Sequence, residues 1–546
     1  MGAPYTTLLR TPRYKDERYV KPRRIKMITK RCSSVWFYTA GLFVCCVLII
    51  MRLAAICSFP STDEGYYSFH AMLAHDALSS SGSLYPLGPL HIYPIILSFV
   101  FSWDINHIIA LRLCDLVVAV LMVWQWFRLM EQESDCLWMG FFLALLAVFA
   151  FNLPIFVQHG FKNSLSVSFI FLIAALRIGL NDNDKTMQTW LVCGVLTAIA
   201  VLFREALLPF AAIGFLGIFA AHGRRAALFY VVGGLVSALL VVACLAIARG
   251  GISNIFEAYS TFSAMARESG RLTAQSLSSL KNSLSSVSFL APVGVLLLLG
   301  GLFTAVRDKV LHRRVLFWVA IAAAPLFEVL TKGGYPYHYS TCLLGLSGLT
   351  ACLFCSCRKF APRATPCAAM MAFVVSLFLA FPQATNIPRN AAETLRRLPG
   401  MLAQTSWPTE MISQSNYLQM AQAIMAVAKP GDTLMTSGHY HLLYPLTGLL
   451  PPKTNNHLFD LGLLALGRKL SPDSLRIRVL AENSDVIVLS YRPGTGADIL
   501  EKALALLPQY KKVAEIPIDS TKDYGEFSGS VFVKDRDPRT SAASNR

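Results

Sequence analysis

The chain has 546 residues, 54% of them hydrophobic and only 15% charged. Soluble domains carry about 25% charged residues, so this composition excludes a secreted enzyme and describes a chain built for lipid. Lys and Arg outnumber Asp and Glu by 49 to 32, a net +17; in a membrane chain such a surplus sets topology and gives no reason to invoke nucleic acid.

Residues 1–34 form a basic leader, with Arg10, Arg13, Lys15, Arg18, Lys21, Arg23, Arg24, Lys26, Lys30 and Arg31 against Asp16 and Glu17. Such an end stays in the cytoplasm. Val35 to Cys57 is an apolar run of the ~20 residues a spanning helix requires, without a convincing cleavage signature, and reads as a retained signal anchor. Further apolar runs follow at 105–127, 138–156, 165–180, 188–203, 206–221, 226–248, 286–305, 315–330, 340–355 and 366–381. Together they predict a polytopic α-helical membrane domain over 35–381, with about eleven crossings. Pro89 to Ser102 is apolar but short and interrupted by Pro94, and reads as a helix lying in the interface within an outer loop over 58–104.

Orientation follows from the loops. With the first run leading outward, His222-Gly-Arg224-Arg225, Arg307 to Arg314 and Cys357 to Arg363 are inside loops rich in cations, as positive-inside topology requires. The inside loops Arg128 to Cys136 and Arg177 to Met187 mix in acids and fit less well. Counting Pro89 to Ser102 as a crossing would invert all three basic loops.

An odd number of crossings puts Pro382 onward outside, where charges return. Tyr417 to Ala428 has helical period, Lys429-Pro-Gly-Asp432 is a turn, and Thr433 to Thr436 opens a strand. Asp485 to Leu489 reads as a buried strand, Ala497 to Leu507 as a helix and Val531 to Val533 as a closing strand. The expectation is an extracytoplasmic α/β domain over 382–535 and a disordered tail over 536–546. None of the 13 cysteines follows Cys367, so this part has no disulfide framework.

Chemistry concentrates in the outer loops. Just past the first crossing stands Ser61-Thr62-Asp63-Glu64-Gly65-Tyr66-Tyr67. Thr62 or Asp63 would suit the cap of an amphipathic helix over Tyr66 to Leu78. Alternatively Asp63 is a general base at the lipid–water boundary, where partial desolvation raises a carboxylate toward the useful range. His159, Lys162 and Asn163 follow the third crossing, Arg204-Glu205 the fifth, and Lys332-Gly-Gly-Tyr-Pro-Tyr337-His338-Tyr339 the ninth. Each cation taken singly could snorkel to headgroups; together, on the Asp63 side, they suit an anionic lipid whose phosphate leaves during reaction.

These residues carry a resemblance. Asp63-Glu64 after the first helix, Leu87-Gly-Pro89-Leu90-His-Ile-Tyr93, Ala110-Leu-Arg112-Leu113, Leu202-Phe203-Arg204-Glu205 and Tyr337-His338-Tyr339 before Leu343-Leu344-Gly-Leu resemble the GT-C glycosyltransferases. The nearest group is that of the aminoarabinose transferases and protein O-mannosyltransferases, family 39-like. Ala428-Lys-Pro-Gly-Asp432, Tyr440 to Gly448 and Asp485-Val-Ile-Val488 are similar to the C-terminal domain of bacterial members. The resemblance implies transfer of one sugar from a polyprenyl-phosphate carrier to a lipid, glycan or protein acceptor at the outer face, with inversion. It implies Asp63 as base, with Glu64 positioning sugar or acceptor. Arg204 would hold the carrier phosphate, aided by Lys162, Lys332 or His338. Tyr66, Tyr67, Tyr93, Tyr337 and Tyr339 are the accompanying substrate-positioning candidates. No nucleotide is required, and a divalent metal is an open option with no metal ligand assigned. The implied location is a bacterial inner membrane with the C-terminal domain in the periplasm; an endoplasmic reticulum location has the same topology.

This chain departs from the pattern in two places. Phe161-Lys162-Asn163-Ser164 stands where many relatives have a second acid, which leaves that role empty or moves it to Glu64. Tyr85-Pro-Leu-Gly-Pro-Leu90 lacks the Glu-Lys pair of the aminoarabinose enzymes, so lipid A is not implied as the acceptor. Gly494-Thr-Gly496 is a turn. Cys352, Cys355 and Cys357 lack partners to complete four ligands, and His439 and His441 suit surface or acceptor contact. Competing readings are an O-antigen ligase or polymerase, whose Arg-rich outer loop would have to be Arg249 to Ser285, and a lipid or solute transporter, for which no inverted repeat is visible.

Overall fold

The computed structural model describes residues 23–58, 62–79, 92–152, 165–181, 186–248, 251–253, 255–256, 309–327, 340–360, 387–403, 407, 411–412, 415–436, 440–452, 471–490, 497–516 and 529–535. The leader before Arg23, the runs 286–305 and 366–381, and the tail 536–546 lie outside them.

Apolar composition decides the first helices. α1 (Arg23–Ile56) begins twelve residues before the expected Val35, because the intervening Lys and Arg are good helix formers. α2 (Thr62–Ser79) and the short α3 (Ile92–Ile96) follow. A 3-10 turn, Leu97–Ser102, continues α3 and buries Leu97, Ser98 and Val100. α4 (His107–Ser134) opens on Asn106, whose side-chain oxygen accepts from the Ile109 amide at 3.3 Å, and closes on Asp135 at φ +48°. α5 (Leu137–Phe151), α6 (Leu165–Leu180) and α7 (Met187–Phe203) come next, the last entered through a Thr186/Thr189 capping box.

α8 (Leu208–Ala248) is interrupted at Gly223, where φ is +81°. Only glycine takes that conformation without a penalty. The Tyr230 hydroxyl donates to the Ala211 carbonyl at 3.2 Å, so the two halves fold back against each other. Three described segments are long and apolar enough to cross a membrane: Val35–Ile56, His107–Ser134 and Glu205–Ile247. Shorter apolar helices, α5 to α7 and Cys342–Cys355 among them, pack beside them. Trp126, Phe127, Phe169 and Trp318 are fully buried at the centre of this bundle.

Toward the C-terminus, helix Ile387–Ala403 packs along α1, and its Leu402 carbonyl accepts from the Asn106 amide at 2.9 Å. Beyond it lies a four-stranded sheet in the order β1-β2-β4-β3, made of β1 (Leu434–Thr436), β2 (Val486–Ser490), β3 (Tyr510–Ile516) and β4 (Gly529–Lys534). β1 and β2 are parallel, joined by a crossover that contains helix Pro472–Glu482, and the other two pairs are antiparallel. The period of two along the strands divides the side chains between two cores. Met435, Ile487, Leu489 and Phe532 meet Leu475, Val479, Leu500 and Leu504. Leu434, Val486, Val488 and Val531 meet Leu418, Ile424 and Tyr444, and that core runs on without a break into Phe69 and Leu73 of α2 and Ile108 and Ile109 of α4. The sheet region is therefore seated on the α2 end of the helix bundle.

Candidate functional site

Four elements end or begin together at that end of the bundle: the last turn of α1, the first turns of α2 and α4, and α3. Helix ends leave carbonyls and amides without intrahelical partners, and here buried charges supply them. The Arg112 guanidinium forks onto Glu64, Nε to Oε1 and Nη2 to Oε2, both at 2.7 Å. Its Nη1 donates to the Ile56 carbonyl at 2.5 Å and to the Ser58 carbonyl at 2.8 Å. One side chain thus ties the end of α1, the start of α2 and α4 into a single corner. Bidentate pairing of this kind fixes geometry as well as charge.

Three residues along α4, Asp115 accepts the Tyr93 hydroxyl at 2.9 Å. The same carboxylate interacts electrostatically with Arg52 of α1 and with Glu64. Burial and then the adjacent Asp115 charge push the Tyr93 hydroxyl above the ordinary tyrosine range, so it stays protonated and donating. Tyr93 also meets the Phe203 ring edge-on at 6.4 Å, which brings the end of α7, and with it buried Arg204, to this end of the bundle. Arg204 is followed by a 3-10 turn, Glu205–Leu207. The exposed Glu205 adds to burial in raising the Tyr66 hydroxyl above its ordinary range.

The sheet region closes the corner from the other side. The Tyr66 ring meets His441 at 5.2 Å and His70 at 4.4 Å, both edge-on. Phe69 stacks on Tyr444 at 4.3 Å and lies 5.5 Å from His441. Gly65 lies so close to the 3-10 turn Tyr440–Leu442 that a Cβ there would stand 2.6 Å from the Leu442 nitrogen and 2.5 Å from its Cα.

Asp63, Glu64, Tyr66 and Tyr67, Tyr93 and Arg204 are thus held on elements that converge. Asp63 lies in the first turn of α2, where a carboxylate suits the helix dipole; its side chain is outside the described residues. Glu64 is fully engaged with Arg112. Lys162, Lys332, Tyr337, His338 and Tyr339 lie outside the described residues. Sequence reasoning passed over Arg52 and Asp115 and quoted Arg112 only within a motif. Their signal was present, since each is an ionisable residue inside an apolar run, a position that is rarely without purpose. Among the described residues no three His, Cys, Asp or Glu side chains converge to hold a metal ion.

No protein-family model matches the sequence, and no curated protein does. Solved structures do match. One is the crystal structure of ArnT from Cupriavidus metallidurans bound to undecaprenyl phosphate, at a TM-score of 0.51 and 14% identity, covering 91% of this chain and 97% of that one. At that identity the likeness is one of fold. The chain has the GT-C-like fold of that protein and, with its long apolar helices, is an integral membrane protein.

Proposed function

We propose that this protein is a membrane glycosyltransferase that moves a single sugar from a polyprenyl-phosphate donor to a lipid, glycan or protein acceptor on the outer face, with inversion at the anomeric carbon. The observation that carries the reading is the end-to-end likeness in fold to ArnT, a protein solved with undecaprenyl phosphate bound. The corner of buried charge at the α2 end supports it, because the first turn of α2, which carries Asp63, and the end of α7, which carries buried Arg204, are among the elements that converge there.

In this reading the acceptor hydroxyl oxygen attacks the anomeric carbon as the bond from that carbon to the phosphate oxygen breaks. The hydroxyl proton goes to the Asp63 carboxylate. The electron pair stays with the departing polyprenyl phosphate, whose growing charge Arg204 stabilises, assisted by Lys162, Lys332 or His338. Glu64 acts through its fork with Arg112, which holds the first turn of α2 and so positions sugar or acceptor. Tyr66, Tyr67, Tyr93, Tyr337 and Tyr339 line the sugar's surroundings. The N-terminus is cytoplasmic and the C-terminal region faces the periplasm of a bacterial inner membrane.

The test uses the full chain in proteoliposomes with a panel of undecaprenyl-phosphate monosaccharides and a membrane extract as acceptor pool. The expected result is release of undecaprenyl phosphate from one donor, together with loss of a single sugar in the glycan mass profile of cells lacking the protein. No release from any donor, with an unchanged profile, overturns the reading.

A further inference from the structure

The proposed centre lies on helices of the bundle, yet the first turn of α2 is gripped from two sides. Inside, Arg112 holds Glu64 at 2.7 Å. On another side the backbone of Leu442 leaves no room for a side chain at position 65. A neighbouring side chain can rotate away from an added methyl; a backbone nitrogen and Cα cannot without moving the whole turn. Further contacts run along the same helix, His441 of the turn against Tyr66 and Phe69, and Tyr444 of the short helix that follows it against Phe69. The core beneath is continuous from β1 and β2 to α2. The Asp63-Glu64-Gly65 sequence therefore reads as three adjacent positions with separate tasks: the base of the proposed reaction, a side chain committed to Arg112, and a position kept bare for the sheet region.

We propose that the turn Tyr440–Leu442 is a positioning element of the transfer site, acting through Gly65, so that the C-terminal region is a working wall of the centre. The inference rests on the reading of Asp63 as the base. A group held about 1 Å out of place costs reaction rate far more than it costs binding. The turn's effect belongs in kcat, with donor KM left in place.

The experiment measures undecaprenyl phosphate release by full-length protein in proteoliposomes, using the donor the panel identifies, for Gly65→Ala, His441→Ala, Leu442→Ala and the control Gly400→Ala. Gly400 has no atom within 4 Å of an added Cβ. Gly65→Ala is expected to lower kcat per folded molecule about 100-fold, with donor KM within twofold and the acidic limb of the pH–kcat profile displaced, while Gly400→Ala keeps the parent kcat. His441→Ala and Leu442→Ala, which trim the turn without adding bulk, are expected to lower kcat by less. If Gly65→Ala does not fold, those two decide: a fall in kcat at unchanged donor KM supports the proposal, and parent kcat overturns it. Asp63→Asn in the same assay separates the two levels. Parent activity there removes the reading of the centre itself; an inactive Asp63→Asn beside fully active turn variants removes only the role of the turn.

Discussion

Glu64 and Arg112, 48 residues apart in the chain, meet edge to edge with two contacts of 2.7 Å, each side chain 1% exposed. A pair so deeply buried gains little over a well-packed apolar pair, but losing one partner leaves the other charged and dry. Glu64→Gln and Arg112→Ala should therefore each cost about 3–5 kcal/mol. Arg112→Lys should recover only part of this, since an ammonium keeps the charge but not the fork. Thermal unfolding in detergent, run as a double-mutant cycle, should give a coupling energy above about 1 kcal/mol. Strict additivity would mean that the corner is held by packing alone.

Asp63 is the complementary case. Asn keeps its size and its place in the first turn of α2 but cannot take a proton. Asp63→Asn should insert and unfold like the parent while transfer falls by roughly 10²–10⁴-fold, the usual contribution of a general base. Sugar transfer retained at the parent rate by the purified variant would take Asp63 out of that role.

The seat of the sheet region on the bundle can be weighed through Phe69 and Tyr444, whose rings stack at 4.3 Å across it. Such ring pairs contribute about 0.5–1.5 kcal/mol beyond the area they bury. A cycle of Phe69→Ala, Tyr444→Ala and the double variant should return a coupling in that range. No coupling would mean that the two parts sit together without this contact holding them.

Within the sheet region, Tyr510 donates to the buried Ser484 carbonyl at 2.6 Å. Burial and then the Asp485 charge push its hydroxyl from the ordinary 10 up to about 12. The folded state thus favours the protonated form. The stability this gives is complete below pH 10 and is lost as pH rises from 10 through 12. Tyr510→Phe should be about 1 kcal/mol less stable at neutral pH and should show a shallower alkaline decline. Parallel curves for the two chains above pH 10 would contradict this.

What could be read from the sequence followed the range of the forces involved. α1, α4 and the two halves of α8 are announced by apolar runs, and β2 by the buried stretch Val486 to Leu489. Helix Ile387–Ala403 escaped notice because it is charged and carries Pro399 inside. β3 escaped because Lys511, Lys512 and Glu515 give its middle a solvent-facing composition. The mixed charges of the loop after Arg128 made little sense as topology signals. Part of that charge is committed to packing at the far end of α4, where the Trp318 indole donates to Glu133 at 2.9 Å and the Arg128 guanidinium lies 4.7 Å from the centre of the Phe37 ring. In the centre itself the local cluster Asp63 to Tyr67 stood out, whereas the Glu64–Arg112 fork and the Gly65–Leu442 contact depend on residues far apart in the chain and have no local signal.

Arg204 tests the donor side. It is buried at the end of α7, beside the Phe203 ring that touches Tyr93, and its charge would be of most use against a phosphate oxygen that gains charge as the sugar departs. Removing one such stabilising donor commonly costs about 10²–10³-fold in kcat. Arg204→Ala should lower kcat/KM for the polyprenyl-phosphate donor by about 10²-fold while the acceptor KM holds, and Arg204→Lys should recover part of the loss because charge survives without the planar fork. Steady-state kinetics with donor and acceptor varied separately make the distinction. A defect confined to the acceptor would assign Arg204 to the other substrate and leave the phosphate to the cations of the remaining loops.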